Sequence, residues 1–149
     1  MSKRIVIKEL QPKAYEAMYA FEKYLSQTEI EPLLKELIKI RVSQINGCSY
    51  CINQHTKDAR KLGETEQRIY GLTAWRETPF YSDAERAVLA LAEEITHISV
   101  HGVSDETYNE ALKQLGEEKL AQVIMAIITI NAWNRIGVST HMMPTLDHM

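Results

Sequence analysis

Gly47-Cys48-Ser49-Tyr50-Cys51-Ile52-Asn53-Gln54-His55 holds both cysteines of the 149-residue chain. Asn46-Gly47 before it is a turn signal. The residues after it run without a breaker to Arg60, Lys61 and Gly63, basic residues and a glycine suited to a helix end. The spacing predicts a helix over about 48–61. On that helix Cys48, Cys51 and His55 stand at i, i+3 and i+7 and share one face. One turn separates the sulfurs, which places them within disulfide reach. Unpaired N–H groups and the helix dipole in the first turn favour a thiolate there, and CxxC thiols at helix starts have pKa values well below the roughly 8.5 of a free thiol. His55 is placed to take a proton from Cys51 or return it, directly or through water.

Reading backwards, Pro32 suits a helix start, and apolar residues continue to Ile45. Leu33, Leu37 and Ile40 mark one face, with Gln44 at its end; Leu34, Ile38, Val42 and Ile45 mark another. A helix over about 32–45 with so wide an apolar surface is buried on several sides. Glu36 lies on it, twelve residues before Cys48, and could orient His55 to complete a base–orienter–nucleophile relay. Before it, Pro12 and the face Ala14, Met18, Phe21, Leu25 predict a helix over 12–26. Residues 1–10 read as an extended arm, with Ile5 and Ile7 alternating as in a short edge strand.

Reading forwards, Glu64-Thr65-Glu66 opens a helix to about Ala74. Ser82-Asp83-Ala84-Glu85 matches a capping box and starts a helix to about Ile98, with Ala84, Ala87, Val88, Leu91, Ala92 and Ile95 inward. Ser104 caps a helix over 105–115 with Tyr108, Ala111, Leu112 and Leu115 inward. The last helix, 117–136, is apolar nearly all round and reads either as the central core helix or as part of a subunit interface. The expectation is one all-α domain over 1–149 with six or seven helices, a core of about 30–137, an N-terminal arm over 1–10 and an irregular tail over 138–149.

Composition bounds the function. Apolar residues are 45%, charged residues 25% and net charge is −3, ordinary for a soluble globular chain. A chain of this length buries roughly two-thirds of its unfolded surface without disulfides or metals. No basic stripe points to nucleic acid. The N-terminus lacks an apolar stretch long enough for a secretory signal, and the apolar run near 123–132 is too short to cross a bilayer. The expected location is the cytoplasm, where a close cysteine pair is more often catalytic, redox-active or metal-binding than structural.

Other readings stand beside the redox one. CxxC with His55 is half a zinc site, but structural sites use a second ligand pair and the chain has no further cysteine; the expectation is no metal and no bound cofactor. Free cysteines are often inert core residues, and Glu36 by itself reads as a solvated helix residue. His97 and His101 are expected in solvent at a helix end, while His141 and His148 lie in the tail. Trp75, Phe80, Tyr81 and Trp133 read as packing residues. Tyr50, between the cysteines, is a pocket candidate.

The set Glu36, Cys48-Ser49-Tyr50-Cys51 and His55 resembles the core motif of the alkylhydroperoxidase AhpD family, within the carboxymuconolactone decarboxylase-like superfamily. Leu37 to Cys48, His55 to Gly63 and Phe80 to Thr96 resemble its flanking runs. The resemblance implies an all-helical fold that forms homotrimers or homohexamers and reduces small hydroperoxides through a cysteine cycle. It implies that Cys51 attacks the peroxide and becomes a sulfenic acid, that Cys48 condenses with it to a disulfide, and that an external dithiol or lipoyl-type reductant reopens the bond at Cys48, expected to be the more exposed sulfur. Glu36 and His55 correspond to the relay that deprotonates the attacking thiol. Well-studied members carry a histidine where this chain has Tyr50. Two alternatives remain: a non-enzymatic redox sensor, and a lyase acting on a small lactone, whose relatives generally lack the cysteine pair.

Overall fold

The computed structural model describes residues 4–147; residues 1–3 of the expected arm, and His148, lie outside them. Among the described residues the chain forms nine α-helices and one 3₁₀ segment, with no strand. Helix α3, Pro32–Asn46, is the centre, packed against α4 (Ser49–Lys61), α6 (Asp83–Thr96) and α9 (Glu117–Thr140). Its two apolar faces feed two cores. Leu34, Ile38 and Val42 join Val88, Leu91, Val123, Ile127 and both cysteines; Leu37 and Ile40 join Ala59, Leu72, Trp75 and Leu89. Leu37, Ile38 and Ile40 are fully buried. Each such burial is worth roughly 1.5–3 kcal/mol, against well under 1 kcal/mol for an exposed ion pair, so apolar packing fixes the position of α3.

A polar seam ties the end of α3 to α9. Asn46 donates to the side-chain oxygens of Asn131 and Asn134, both at 3.0 Å. Asn134, fully buried, donates to the Ser43 hydroxyl at 2.9 Å. Asn131 donates to Thr96 on α6 and to the Ile127 carbonyl. This seam lies directly before Gly47, whose φ of 68° closes α3 in the left-handed region, a conformation costing other residues roughly 1–2 kcal/mol. The chain reverses there, and Cys48 begins α4.

The 12–26 helix forms as α2, Pro12–Ser26, but Ala14 is exposed and Tyr15 is buried in its place. The N-terminal arm is not a strand: α1 spans Ile7–Leu10 and packs on α2. Ile5 is 63% exposed, with no neighbouring strand to bond it; Arg4 instead donates to the Ser139 carbonyl, and Lys8 lies over the Tyr19 ring. Helix α5, Glu66–Gly71, passes into a 3₁₀ segment, Leu72–Glu77, that kinks at Ala74. This turn buries Trp75, whose ring N–H donates to Glu93. The capping box at Ser82 and Glu85 is present. A short α7, Ile98–His101, leads to α8, Asp105–Leu115, where Tyr108 faces solvent rather than the core. Helix α9 reaches Thr140, four residues beyond its expected end, held by a Met142 N–H to Gly137 carbonyl bond. It packs on α2, α3, α4, α6 and α8. None of these helices is long and apolar enough to cross a membrane.

Candidate active site

Cys48 is the N-cap of α4, and its sulfur accepts the Cys51 N–H at 3.4 Å. The two cysteines are joined by a disulfide with Cα atoms 5.3 Å apart, as their shared helix turn allows. Both are buried, and the expected order of exposure is reversed: Cys48 is 2% exposed and Cys51 5%. The N-cap position turns Cys48 inward under α9, whereas Cys51, one turn on, reaches the edge of a cavity.

Glu36 is not solvated. Its side chain is 12% exposed, and its Oε2 lies 2.9 Å from His55 Nδ1. A carboxylate only accepts, so the proton of neutral His55 sits on Nδ1, leaving Nε2 as the acceptor. The charges continue toward α2: Lys39 lies 3.9 Å from Glu36 and donates to Glu22 at 3.3 Å, and Glu22 accepts the Trp133 ring N–H at 3.0 Å. On the other side of His55, Asp58 accepts bonds from Gln54 and Lys61. Burial pushes its carboxyl up, but these bonds and the charge of Lys61 hold it below its ordinary value.

Cys51 and His55 share a cavity of about 250 Å³ with Tyr15, Tyr19, Tyr50 and Trp133. The Tyr15 and Trp133 rings meet edge to face at 5.4 Å, and Tyr15 and Tyr19 at 5.9 Å. Burial, with Tyr19 beside it, raises the pKa of the Tyr15 phenol. Tyr50, 38% exposed, stands at the rim. Trp133 is therefore a cavity wall rather than a packing residue alone. The sequence reading missed Tyr15, Tyr19, Glu22 and Lys39; the available clue was that Glu36 and Lys39 stand one turn apart on a helix with a wide apolar surface.

A second cavity, about 370 Å³, opens at Cys48, which lies there with Gly47, Gly137, His141, Met142 and Met143. Met142 borders both cavities. His97 and His101 are exposed, as expected. Glu36, His55 and Asp58 bring one donor atom each within 4.8 Å of one another, a set that could hold a divalent cation. Each carboxylate already has a basic or amide partner: Glu36 pairs with His55, and Asp58 with Gln54 and Lys61.

Comparisons with known proteins bear on family and fold. Residues 12–94 match the model of the carboxymuconolactone decarboxylase family. Uncharacterized protein YdfG of Bacillus subtilis (strain 168) is 48% identical over 139 residues, spanning 93% of this chain and 95% of that protein. A crystal structure from Agrobacterium tumefaciens, of a protein of unknown function proposed to be the antioxidant defence protein AhpD, superposes with a TM-score of 0.94 at 34% identity, over 98% of this chain and 100% of the other. An uncharacterized peroxidase-related protein from Silicibacter sp. TM1040 gives 0.78 at 24% identity, over 87% and 69%, a likeness of fold alone.

Proposed function

Since the chain belongs to the carboxymuconolactone decarboxylase family, with an AhpD-like helical fold, we propose that it is a thiol-dependent peroxidase that reduces small hydroperoxides with electrons from an external dithiol. The observation that carries this is the Cys48–Cys51 disulfide set against the His55–Glu36 pair, with Cys51 and His55 bordering one cavity. His55 Nε2 takes the Cys51 proton, and the thiolate attacks the terminal peroxide oxygen. The O–O bond breaks; Cys51 becomes a sulfenic acid, and the alkoxide leaves as alcohol with the proton from His55. The Cys48 thiol then displaces water from Cys51 to form the disulfide. A dithiol reopens it by exchange and is itself oxidised to a disulfide. No bound cofactor enters the cycle. A lactone lyase, the activity the family's name offers, would need neither sulfur.

Peroxide consumption with a dithiol is the test. Cys51→Ser should abolish it, and Cys48→Ser should leave a sulfenic acid that dimedone traps. If one equivalent of hydroperoxide forms no Cys48–Cys51 disulfide in the reduced wild-type protein, the redox reading fails; disulfide formation without steady turnover would make the protein a sensor. Assembly into homotrimers or homohexamers belongs to the same reading. The exposed apolar Ile128 and Val138 of α9 supply surface for it, and sedimentation gives the subunit count.

A further inference from the structure

Each sulfur of the disulfide borders its own cavity, and His55 lines only the one at Cys51. The reductive half of a thiol cycle moves protons at both sulfurs: an incoming thiol must lose one before it attacks, and each released sulfur must gain one. On the Cys48 side the cavity holds one imidazole, His141, a side chain whose ring nitrogens can take or give a proton. Two features set His141 apart. Its Nδ1 is shut away from solvent and has no hydrogen-bond partner among the described residues, although an unpaired buried ring nitrogen costs roughly 1–3 kcal/mol. Its φ of 53° makes it the one non-glycine residue in the left-handed region among the described residues, at the end of α9, where glycine or asparagine would sit without that strain. The other charged or titratable groups around it, Arg4, Lys8, Tyr15, Tyr19 and Tyr50, line the adjoining cavity.

We propose that His141 is the acid–base group of the Cys48 side, taking the proton of an incoming dithiol and returning it to the Cys48 sulfur. This rests on the redox reading of the cysteine pair. Neutral His141 accepts the proton of the first thiol, whose sulfur attacks Cys48 Sγ. The Cys48–Cys51 bond breaks, its electron pair goes to Cys51, and Cys51 takes a proton from the His55 side. The second thiol of the same molecule then attacks the mixed disulfide and releases its own proton to solvent. Cys48 leaves as a thiolate and is protonated by His141. The dithiol is oxidised to a disulfide and the protein returns to two thiols.

The test isolates this half of the cycle. Oxidised protein is mixed with dithiothreitol, and the rate of disulfide opening is followed in wild type and His141→Gln. The expected loss is on the order of 100-fold, while disulfide formation from reduced protein with one equivalent of hydroperoxide stays within about twofold of wild type, and added imidazole restores opening. An unchanged opening rate, an equal fall in both half-reactions, or no rescue by imidazole overturns the proposal. His141→Asn, which tolerates the left-handed backbone, replaces the glutamine variant if that one does not fold. The wild-type protein gives an independent reading: oxidised protein opened by thionitrobenzoate anion and quenched with N-ethylmaleimide should carry the thionitrobenzoate on Cys48 and the alkyl group on Cys51, and the reverse pattern would overturn the assignment. Because dithiothreitol opening requires no peroxide, a protein that consumed none would lose the peroxidase reading while leaving this result standing.

Discussion

A methyl group placed on the Cα of Gly137 would stand 2.8 Å from the Sγ of Cys48 and 3.7 Å from that of Cys51. The backbone of α9 thus lies against the disulfide, and only glycine lets it do so. Gly137→Ala would gain about 1 kcal/mol of helix propensity, less than the roughly 1–3 kcal/mol of overpacking at a contact this short. The oxidised form should suffer more, because a free Cys48 thiol can rotate away. The expected outcome is a lower unfolding midpoint for the oxidised protein, a smaller loss for the reduced protein, and a disulfide that reduces more readily. Equal losses in the two forms would place the strain elsewhere on α9.

Glu36→Gln should remove the anion that orients and supports His55 across 2.9 Å. The apparent pKa of the reactive thiol should rise, displacing the pH profile of Cys51 alkylation to higher pH, and peroxide consumption near neutrality should fall by roughly tenfold or more. An unchanged alkylation profile would leave Glu36 with a structural role only.

Asn134→Ala should cost roughly 2–4 kcal/mol, combining a small cavity with the loss of the bond from Asn46, which keeps Asn131, and a buried Ser43 hydroxyl left unpaired. Urea unfolding gives the loss. Since Asn46 sits one residue before Gly47, the same variant should slow disulfide formation, whereas a substitution on the outer face of α9, such as Ala121→Ser, should change neither measurement.

Glu93 supplies a pH dependence. Burial pushes its carboxyl up, but bonds from Arg76, Trp75 and Arg41 outweigh it and hold the group below its ordinary value of 4.5. A folded-state value below the unfolded one stabilises the protein at any pH above the ordinary carboxylate range, and that contribution is lost as pH falls through the lower, folded value. Glu93→Gln should therefore cost roughly 2 kcal/mol at pH 7, and the gap between variant and wild type should narrow at pH 3. A gap of constant size in chemical denaturation at both pH values would assign the loss to packing instead.

The helices were legible wherever periodicity and punctuation agreed. Pro32, Gly47 and the Ser82–Glu85 box each mark an element end found within about a residue. The two faces of α3 were also readable, because a helix buried on both sides cannot hide its apolar width. Ala14 and Tyr108 were misassigned because a 3.6-residue period ranks faces by apolarity, and in α2 the inward position goes to Tyr15, an aromatic with a polar tip that meets Trp133. Cys48, Cys51, His55 and Glu36 came together as their spacing suggested. Tyr15, Glu22 and Trp133 could not be placed beside them, because they come from α2 and α9, and contacts between separate helices leave no local pattern. His141 was discounted with the tail, since nothing in the chain's order says that α9 returns under Cys48.

The sulfur of Cys48 is also the acceptor that fastens the first turn of α4, through the Cys51 N–H. A thiolate, a thiol and a disulfide sulfur differ greatly as acceptors, and a helix start responds to the charge placed on it. In the proposed cycle each electron pair therefore tightens or loosens the helix that carries it. The Cys51 amide should exchange its hydrogen faster in one oxidation state than in the other, so that a backbone proton keeps the record of a side chain's chemistry.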